Sequence, residues 1–405
     1  MRKRSILLST IAMPAIIHSA AYANTLTAII PDIYAALDVV SRELVGFIPS
    51  AGRAFGAERA AVGQSVKYPI APALASVNIV PAMTIPEPAD VTVPAGSLTI
   101  SKSKAVPFGF TGEEQRGINF GPGYLSTQAQ LIAQALRTLV NEAEADLALE
   151  AQLNASRAFG TAGTTPFATD LSGVAQIRKI LDDNGAPATG RSLVMNTSAG
   201  ANLRTLGNLN KVNEAGTQMT LRDGELLNIH GLSLKESAQV VNFVKGTNSG
   251  ATTNTAGYAV GATVITLASA GTGTIKAGDV ITFAGDANKY VVASGDVDVS
   301  NGGTITLAAP GLRVALAASA IAITTGANYA ANIAFSQDAL HIVMRPPALP
   351  EEGDSALDRM MITDPRSGMT FEMAVYAGYR KVRIELALAW GVKASKPDNI
   401  AILLG

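Results

Sequence analysis

The 405-residue chain has no cysteine and only three histidines, His18, His230 and His341. The first absence excludes disulfide staples, Cys-based zinc sites and cysteine nucleophiles. The histidines lie far apart, with no His-x-x-x-His pair among them. Charged residues make up 16% of the chain, well below the usual quarter or so. Lys and Arg number 31 against 32 Asp and Glu, a net charge of −1. That balance gives neither a basic nucleic-acid coat nor an acidic tail. There is no Gly-x-x-x-x-Gly-Lys phosphate loop and no Gly-x-Ser-x-Gly elbow. Glu113-Glu114 and Glu351-Glu352 are adjacent carboxylates, but neighbours in a loop face solvent and make poor acid/base pairs. No acid, base and nucleophile group emerges by spacing. The expectation is a protein that is not an enzyme, with no catalytic, metal or cofactor-binding residues and no cofactor.

With 48% apolar residues and 38 glycines, the chain is not of disordered composition. It has to hide much of its surface in its own core or against copies of itself. Arg2, Lys3 and Arg4 precede an apolar run from Ile6 to Ile17, followed by Ala21-Tyr22-Ala23, the pattern of a secretory leader. No other stretch approaches 18 unbroken apolar residues, so no membrane partner is expected elsewhere. Without the leader, 28 basic and 32 acidic residues leave a charge of −4.

Ile33, Leu37, Val40 and Leu44 recur at spacings of 4, 3 and 4, with Pro31 ahead of them, predicting an amphipathic helix over 24–46. Residues 66–122 hold eight of the 19 prolines and read as a long extended hairpin, with Glu87 and Asp90 near its tip. Over 124–158, Leu125, Ala129, Ile132, Leu136, Val140, Ala143 and Leu147 mark the longest helix, and Thr127-x-x-Gln130 has the spacing of a capping box. Residues 168–245 alternate helix and strand. They comprise a helix through Leu171–Leu181 ended by Asn184-Gly185, a strand at 193–195, and a strand over 221–234 with a turn at Asp223-Gly224 that contains His230. His230 reads as a structural or surface residue, since no second ligand is near.

Residues 247–328 differ in texture: of 82 residues, 13 are Thr, 12 Gly and seven charged. Short strands at 264–267, 280–283, 290–292, 304–307 and 321–324 predict a small barrel or sandwich inserted in the chain. Further on, His341–Met344 is a strand ended by Pro346-Pro347. After a turn at 364–368, Met369, Phe371, Met373 and Val375 alternate, then Val382, Ile384, Leu386, Leu388 and Trp390. The only tryptophan is therefore expected on a buried sheet face.

This order of elements resembles the Hong Kong phage-type capsid fold, and more closely the coat proteins of short-tailed phages. The segments that carry the resemblance are Ala23-Asn24-Thr25-Leu26-Thr27, Ile275–Phe283 with its Lys-x-Gly-Asp, and Asp364–Phe371. It covers about 24–405. It implies an α+β fold with a long spine helix, an extended hairpin loop, a mixed α/β axial domain and an inserted small all-β barrel domain. The implied divisions are an N-terminal arm and helix (24–65), the hairpin loop (66–123) and the spine helix (124–167). The axial domain (168–246 and 329–363) is interrupted by the barrel (247–328), and closing strands follow (364–405). It further implies hexamers and pentamers of a shell, a scaffolding protein, a portal protein, weak non-specific contact with packaged double-stranded DNA, and assembly in the host cytoplasm. Glu87, Asp90, Asp279 and Asp286 are the expected inter-subunit contacts. The resemblance stops at residues 1–23, which are then a start placed too far upstream. The alternative, an exported β-rich surface-layer or adhesin-like protein, takes the leader at face value.

Overall fold

The structure is a computed structural model. It describes residues 46–69, 95–119, 124–207, 228–240, 242–364 and 368–405, with isolated positions between 76 and 83. The leader, the helix expected over 24–46, Glu87, Asp90, and the Asp223-Gly224 turn lie outside the described residues.

One helix organises the core. The spine helix α2 (Tyr124–Leu153) follows a short helix α1 (Gly112–Asn119). Its expected stripe is the buried one: Ile132, Leu136, Val140, Ala143 and Leu147 are almost fully covered. The helix ends at Leu153, because Arg157–Phe159 leaves it as strand β5. Thr127 lies inside the first turn of α2 and not at its N-cap.

Against α2 packs a six-stranded sheet, ordered β1 (Gly52–Phe55), β16 (Leu340–Arg345), β19 (Lys381–Ala394), β18 (Thr370–Gly378) and β17 (Ala356–Thr363). Strand β4 (Lys102–Thr111) joins it along β19. The alternation read at 369–375 and 382–390 sets its inner face, with Phe371, Met373, Ile384, Leu386, Leu388 and Trp390 in the main core.

The hairpin expected over 66–122 is shorter. Among its described residues, β2 (Ser65–Pro69) and β3 (Ala95–Thr99) pair with each other, Ser65 opposite Thr99 and Pro69 opposite Ala95. Residues 102–111 form ten paired positions with β19, and α1 follows. Val106 and Phe108 of β4 pack on the main core. Pro107 is compatible with a strand here because, among the described residues, β4 pairs only with β19, so its other edge needs no N–H donor.

A second, twelve-stranded sheet runs β10 (Val264–Leu267), β13 (Gly303–Leu307), β12 (Lys289–Ser294), β5, β20 (Ile400–Leu404), β15 (Tyr329–Ser336), β6 (Arg191–Met195), β8 (Leu232–Glu236) and β7 (Asn228–Ile229). Strand β9 (Asn242–Phe243) pairs β15, while β11 (Val280–Phe283) pairs β12 and β14 (Ile323–Thr325). Its central strands are buried on both faces, and period two divides them. Val194, Ile333, Phe335, Ile400 and Ile402 face α2. Leu193, Met195, Ala334, Ala401 and Leu403 face helices α3 (Ser172–Asp183) and α4 (Thr197–Thr205). Helix α3 ends as expected, at Asn184 followed by Gly185 with φ +76°. Helix α4 carries no strong periodic signal. It is started by the Asn196 side chain, which accepts from Ala199 N at 2.8 Å. His230 is an exposed turn residue and not part of a strand: with Gly231 it forms a turn with positive φ at both positions, joining β7 to β8.

The Thr/Gly-rich stretch has an apolar cluster of its own, including Ile265, Leu267, Ile281, Phe283, Tyr290, Ile305 and Ile323. Bridges Thr253–Leu267 and Thr252–Ala322 connect the two ends of its strand row. It is joined edgewise to the rest of the sheet: Lys289 and Tyr290 of β12 pair with Ala158 and Arg157 of β5.

Candidate assembly surfaces

Two of the four carboxylates expected at subunit contacts work inside the chain. Asp279 is fully buried and accepts from Gly246 N at 2.9 Å and Lys276 N at 2.7 Å. It ties the entrance of the Thr/Gly-rich stretch to its own loop, and burial pushes its pKa up. Asp286 accepts from Tyr290 Oη at 2.6 Å and from Asn288 N at 2.9 Å. Burial, followed by that hydrogen bond, raises the Tyr290 phenol to about 12. A charge in a Gly-rich loop reads as solvated. Here the open loop backbone supplies N–H donors that a strand would have used, and these draw the carboxylates inward. Glu87 and Asp90 lie in sequence between β2 and β3, outside the described residues.

Glu114 accepts from Thr111 N at 2.8 Å and Thr111 Oγ1 from Glu114 N at 3.2 Å, a capping box that starts α1 and lowers the Glu114 pKa. Glu351 and Glu352 are exposed. His341 Nε2 lies 3.1 Å from the Asp338 carbonyl, and burial lowers its pKa. No group of three or more His, Asp or Glu residues among the described residues is arranged to hold a metal ion, and no described helix is long and apolar enough to cross a membrane.

Two ionic devices matter more, and neither stands out by spacing from a catalytic motif. Glu144 of α2 is nearly buried and accepts from Phe47 N, from Ile48 N at 2.8 Å and from Ser237 Oγ at 3.1 Å. It fixes the start of the described chain to the spine. The signal was present, since Glu144 sits four residues after Val140 on the apolar stripe, where a carboxylate needs a partner. Burial raises its pKa above the ordinary carboxylate value, opposed by the three hydrogen bonds and by Lys235. A carboxyl raised in this way favours the fold most at pH below its unfolded value and loses that contribution as pH rises through its folded value. Wild-type stability should therefore fall relative to Glu144→Gln as the pH is raised from about 4 to neutral. Paired urea melts would read this, and a gap that stays constant or moves the other way would contradict it.

The second device is centred on Glu372 of β18, which is ion-paired with Arg59 and, at 2.7 Å, with Arg359 Nε; Arg359 in turn pairs with Asp354. Arg59 also donates to the Pro347 carbonyl at 2.8 Å. The root of the hairpin is thus bound to the six-stranded sheet.

Outside these clamps, apolar groups are left uncovered. Ile79 and Met83, between β2 and β3, are 98% and 107% exposed. Leu357 and Met361 are exposed on β17, which ends the row of the six-stranded sheet and has one edge unpaired among the described residues. Exposed apolar groups and an open strand edge are what a second copy can cover.

No family model matches the sequence, and no curated protein matches it. Solved structures do. The capsid of the cyanophage P-SCSP1u is 12% identical, with a TM-score of 0.46 over 89% of this chain and 88% of that one. A structure of Mycobacterium phage Che8 is 13% identical, TM-score 0.42, over 86% and 88%. The mature capsid of bacteriophage PhiM1 is 10% identical, TM-score 0.42, over 89% and 86%. The chain is similar to phage capsid structures along most of its length.

Proposed function

We propose that this chain is a shell-forming structural protein, the major capsid protein of a tailed phage, which closes into an icosahedral shell around double-stranded DNA. The observation that carries this reading is a set of exposed apolar residues between β2 and β3. Ile79, Val80 and Met83 stand exposed in the proline-rich stretch between β2 and β3, while the root of that hairpin is anchored through Arg59 and Glu372. Bare apolar groups beyond an anchored hairpin root suit contact with an adjacent subunit. In a closed symmetric array each arm then meets the same surface on the next copy. The open edge of β17 and the low charge of the chain support the same reading, because few ions need desolvation at the interfaces.

The finer parts follow from the sequence resemblance. The Thr/Gly-rich stretch at 247–328 serves as the inserted barrel, the shell forms from hexamers and pentamers, and scaffolding and portal proteins assist in the host cytoplasm. A charge of −4 after the leader suits an inner wall along which DNA slides without tight binding.

The arm's acidic pair gives the test. Exposed ion pairs are worth about 0.2–1 kcal/mol each, but a shell repeats them at every interface. Glu87→Lys with Asp90→Lys should leave the monomer's melting temperature nearly unchanged and raise the protein concentration needed for particles in sedimentation. Unchanged assembly with a destabilised monomer would count against the arm as the bridging element.

A further inference from the structure

The buried face of the twelve-stranded sheet changes character at one end. Ser192 of β6 shares a face with Val194, and that face packs on α2. In the parallel register of β6 and β8, Ser192 lies beside Ser233 and Val194 beside Lys235, so Ser233 and Lys235 point the same way. The period-two pattern calls for apolar side chains at these positions, yet two hydroxyls and an ammonium stand there. With Ser50, Asn228 and Gln337 they line an open cavity of about 310 Å³.

The polar groups of this cavity lack counterparts. Ser192 is only 6% exposed, and neither its hydroxyl nor the Lys235 ammonium has a hydrogen-bond partner among the described residues. Burial, followed by the charge of Arg53, lowers the Lys235 pKa, and Glu144 opposes both. The Glu144 carboxylate is itself held by Phe47 N, Ile48 N and Ser237 Oγ. Arg191 also borders the cavity, but its guanidinium is held by Asp182 and by the carbonyls of Pro187 and Ala186, each at 2.6 Å. No Asp or Glu lines the cavity. A half-buried lysine near a second cation, beside a buried hydroxyl with no acceptor, calls for an anion.

We infer that this cavity binds a phosphate group, with Lys235 Nζ as its charge partner and Ser192, Ser233, Asn228 and Gln337 as donors. Phosphate suits the site better than carboxylate. The donors come from β6, β7, β8 and the turn after β15, and a tetrahedral oxyanion accepts from more directions than a planar carboxylate. The phosphate is either free or carried on an ester, of which a nucleic-acid backbone is one. The inference does not depend on the shell reading.

Calorimetric titration of the full chain with inorganic phosphate, at fixed pH and ionic strength balanced by chloride, tests the site. One saturable site per chain is expected. Lys235→Gln should weaken it at least about tenfold, Lys235→Arg should recover most of the affinity, and Lys381→Gln, on an exposed lysine of the other sheet, should leave it unchanged. Because Lys235 also faces Glu144, Ser233→Asp is a second variant: it sets a carboxylate beside Lys235 and should abolish binding while the urea midpoint stays near wild type. Absence of saturable phosphate binding overturns the inference, as does wild-type affinity in Lys235→Gln or Ser233→Asp. Acetate binding as tightly as phosphate overturns it too and assigns the cavity to a carboxylate. With the site established, a short DNA duplex that displaces phosphate from wild type assigns it to a nucleic-acid backbone, and a duplex that does not assigns it to free phosphate or a small ester.

Discussion

Trp390→Ala is expected to lower the subunit's unfolding free energy by about 3–5 kcal/mol, the range for deleting a large buried aromatic. Trp390 is fully buried at the contact between β19 and the spine helix. Its indole Nε1 donates to Asp146 of α2 at 2.8 Å, and Asp146 is also paired with Lys102 of β4 at 2.7 Å. The substitution leaves a cavity and removes the one donor that links β19 to that carboxylate. Trp390→Phe keeps most of the volume and loses only the hydrogen bond, so it should cost about 0.5–1.5 kcal/mol more than its packing change alone. Urea melts of the unassembled subunit give both numbers. A loss below about 1 kcal/mol for the alanine variant would mean that this contact is not central to the fold.

The second large effect separates folding from assembly. Replacing residues 70–94 with a short Gly/Ser turn keeps the β2–β3 pairing, Ser65 to Thr99 and Pro69 to Ala95, together with buried Leu98 and Ile100. The denaturation midpoint should stay nearly unchanged while particles disappear from the sedimentation profile at concentrations where the full chain assembles. Removing 66–111 is a different operation. It strips the ten-residue ladder of β4 on β19 and should unfold the subunit. Equal loss of stability in both deletions would make the arm an internal part of the fold. Normal assembly by the shorter deletion would remove the main support for the shell reading.

The contrast between these deletions marks where the sequence was legible. Period two at 369–390 and period 3.6 at 132–147 give the six-stranded sheet and the spine, because one face of each is buried and the pattern must repeat. The five short strands of the Thr/Gly-rich stretch are legible for the same reason. Strand β4 was hidden by Pro107: a proline argues against a central strand, and only the sheet order reveals that β4 has a free edge. Val106, Phe108 and Phe110 carried the alternation that could have identified it. Asp279 and Asp286 looked like surface charges because their donors, Gly246 N, Lys276 N and Tyr290 Oη, come from loop backbone and a tertiary neighbour that spacing does not show. Glu144 shows the opposite case, a carboxylate on an apolar stripe whose position alone asked for a partner. On the shell reading, the contacts of the stretch between β2 and β3 lie on another molecule, and a single sequence carries no register for those.

Electron microscopy of the purified full chain, concentrated in near-neutral buffer, tests the central claim most directly. The account predicts closed, uniform particles with icosahedral symmetry, in equilibrium with smaller rings and monomers. A chain that remains monomeric at all concentrations, or is recovered only outside the cell as an open sheet after losing residues 1–23, would contradict it and favour the exported surface protein.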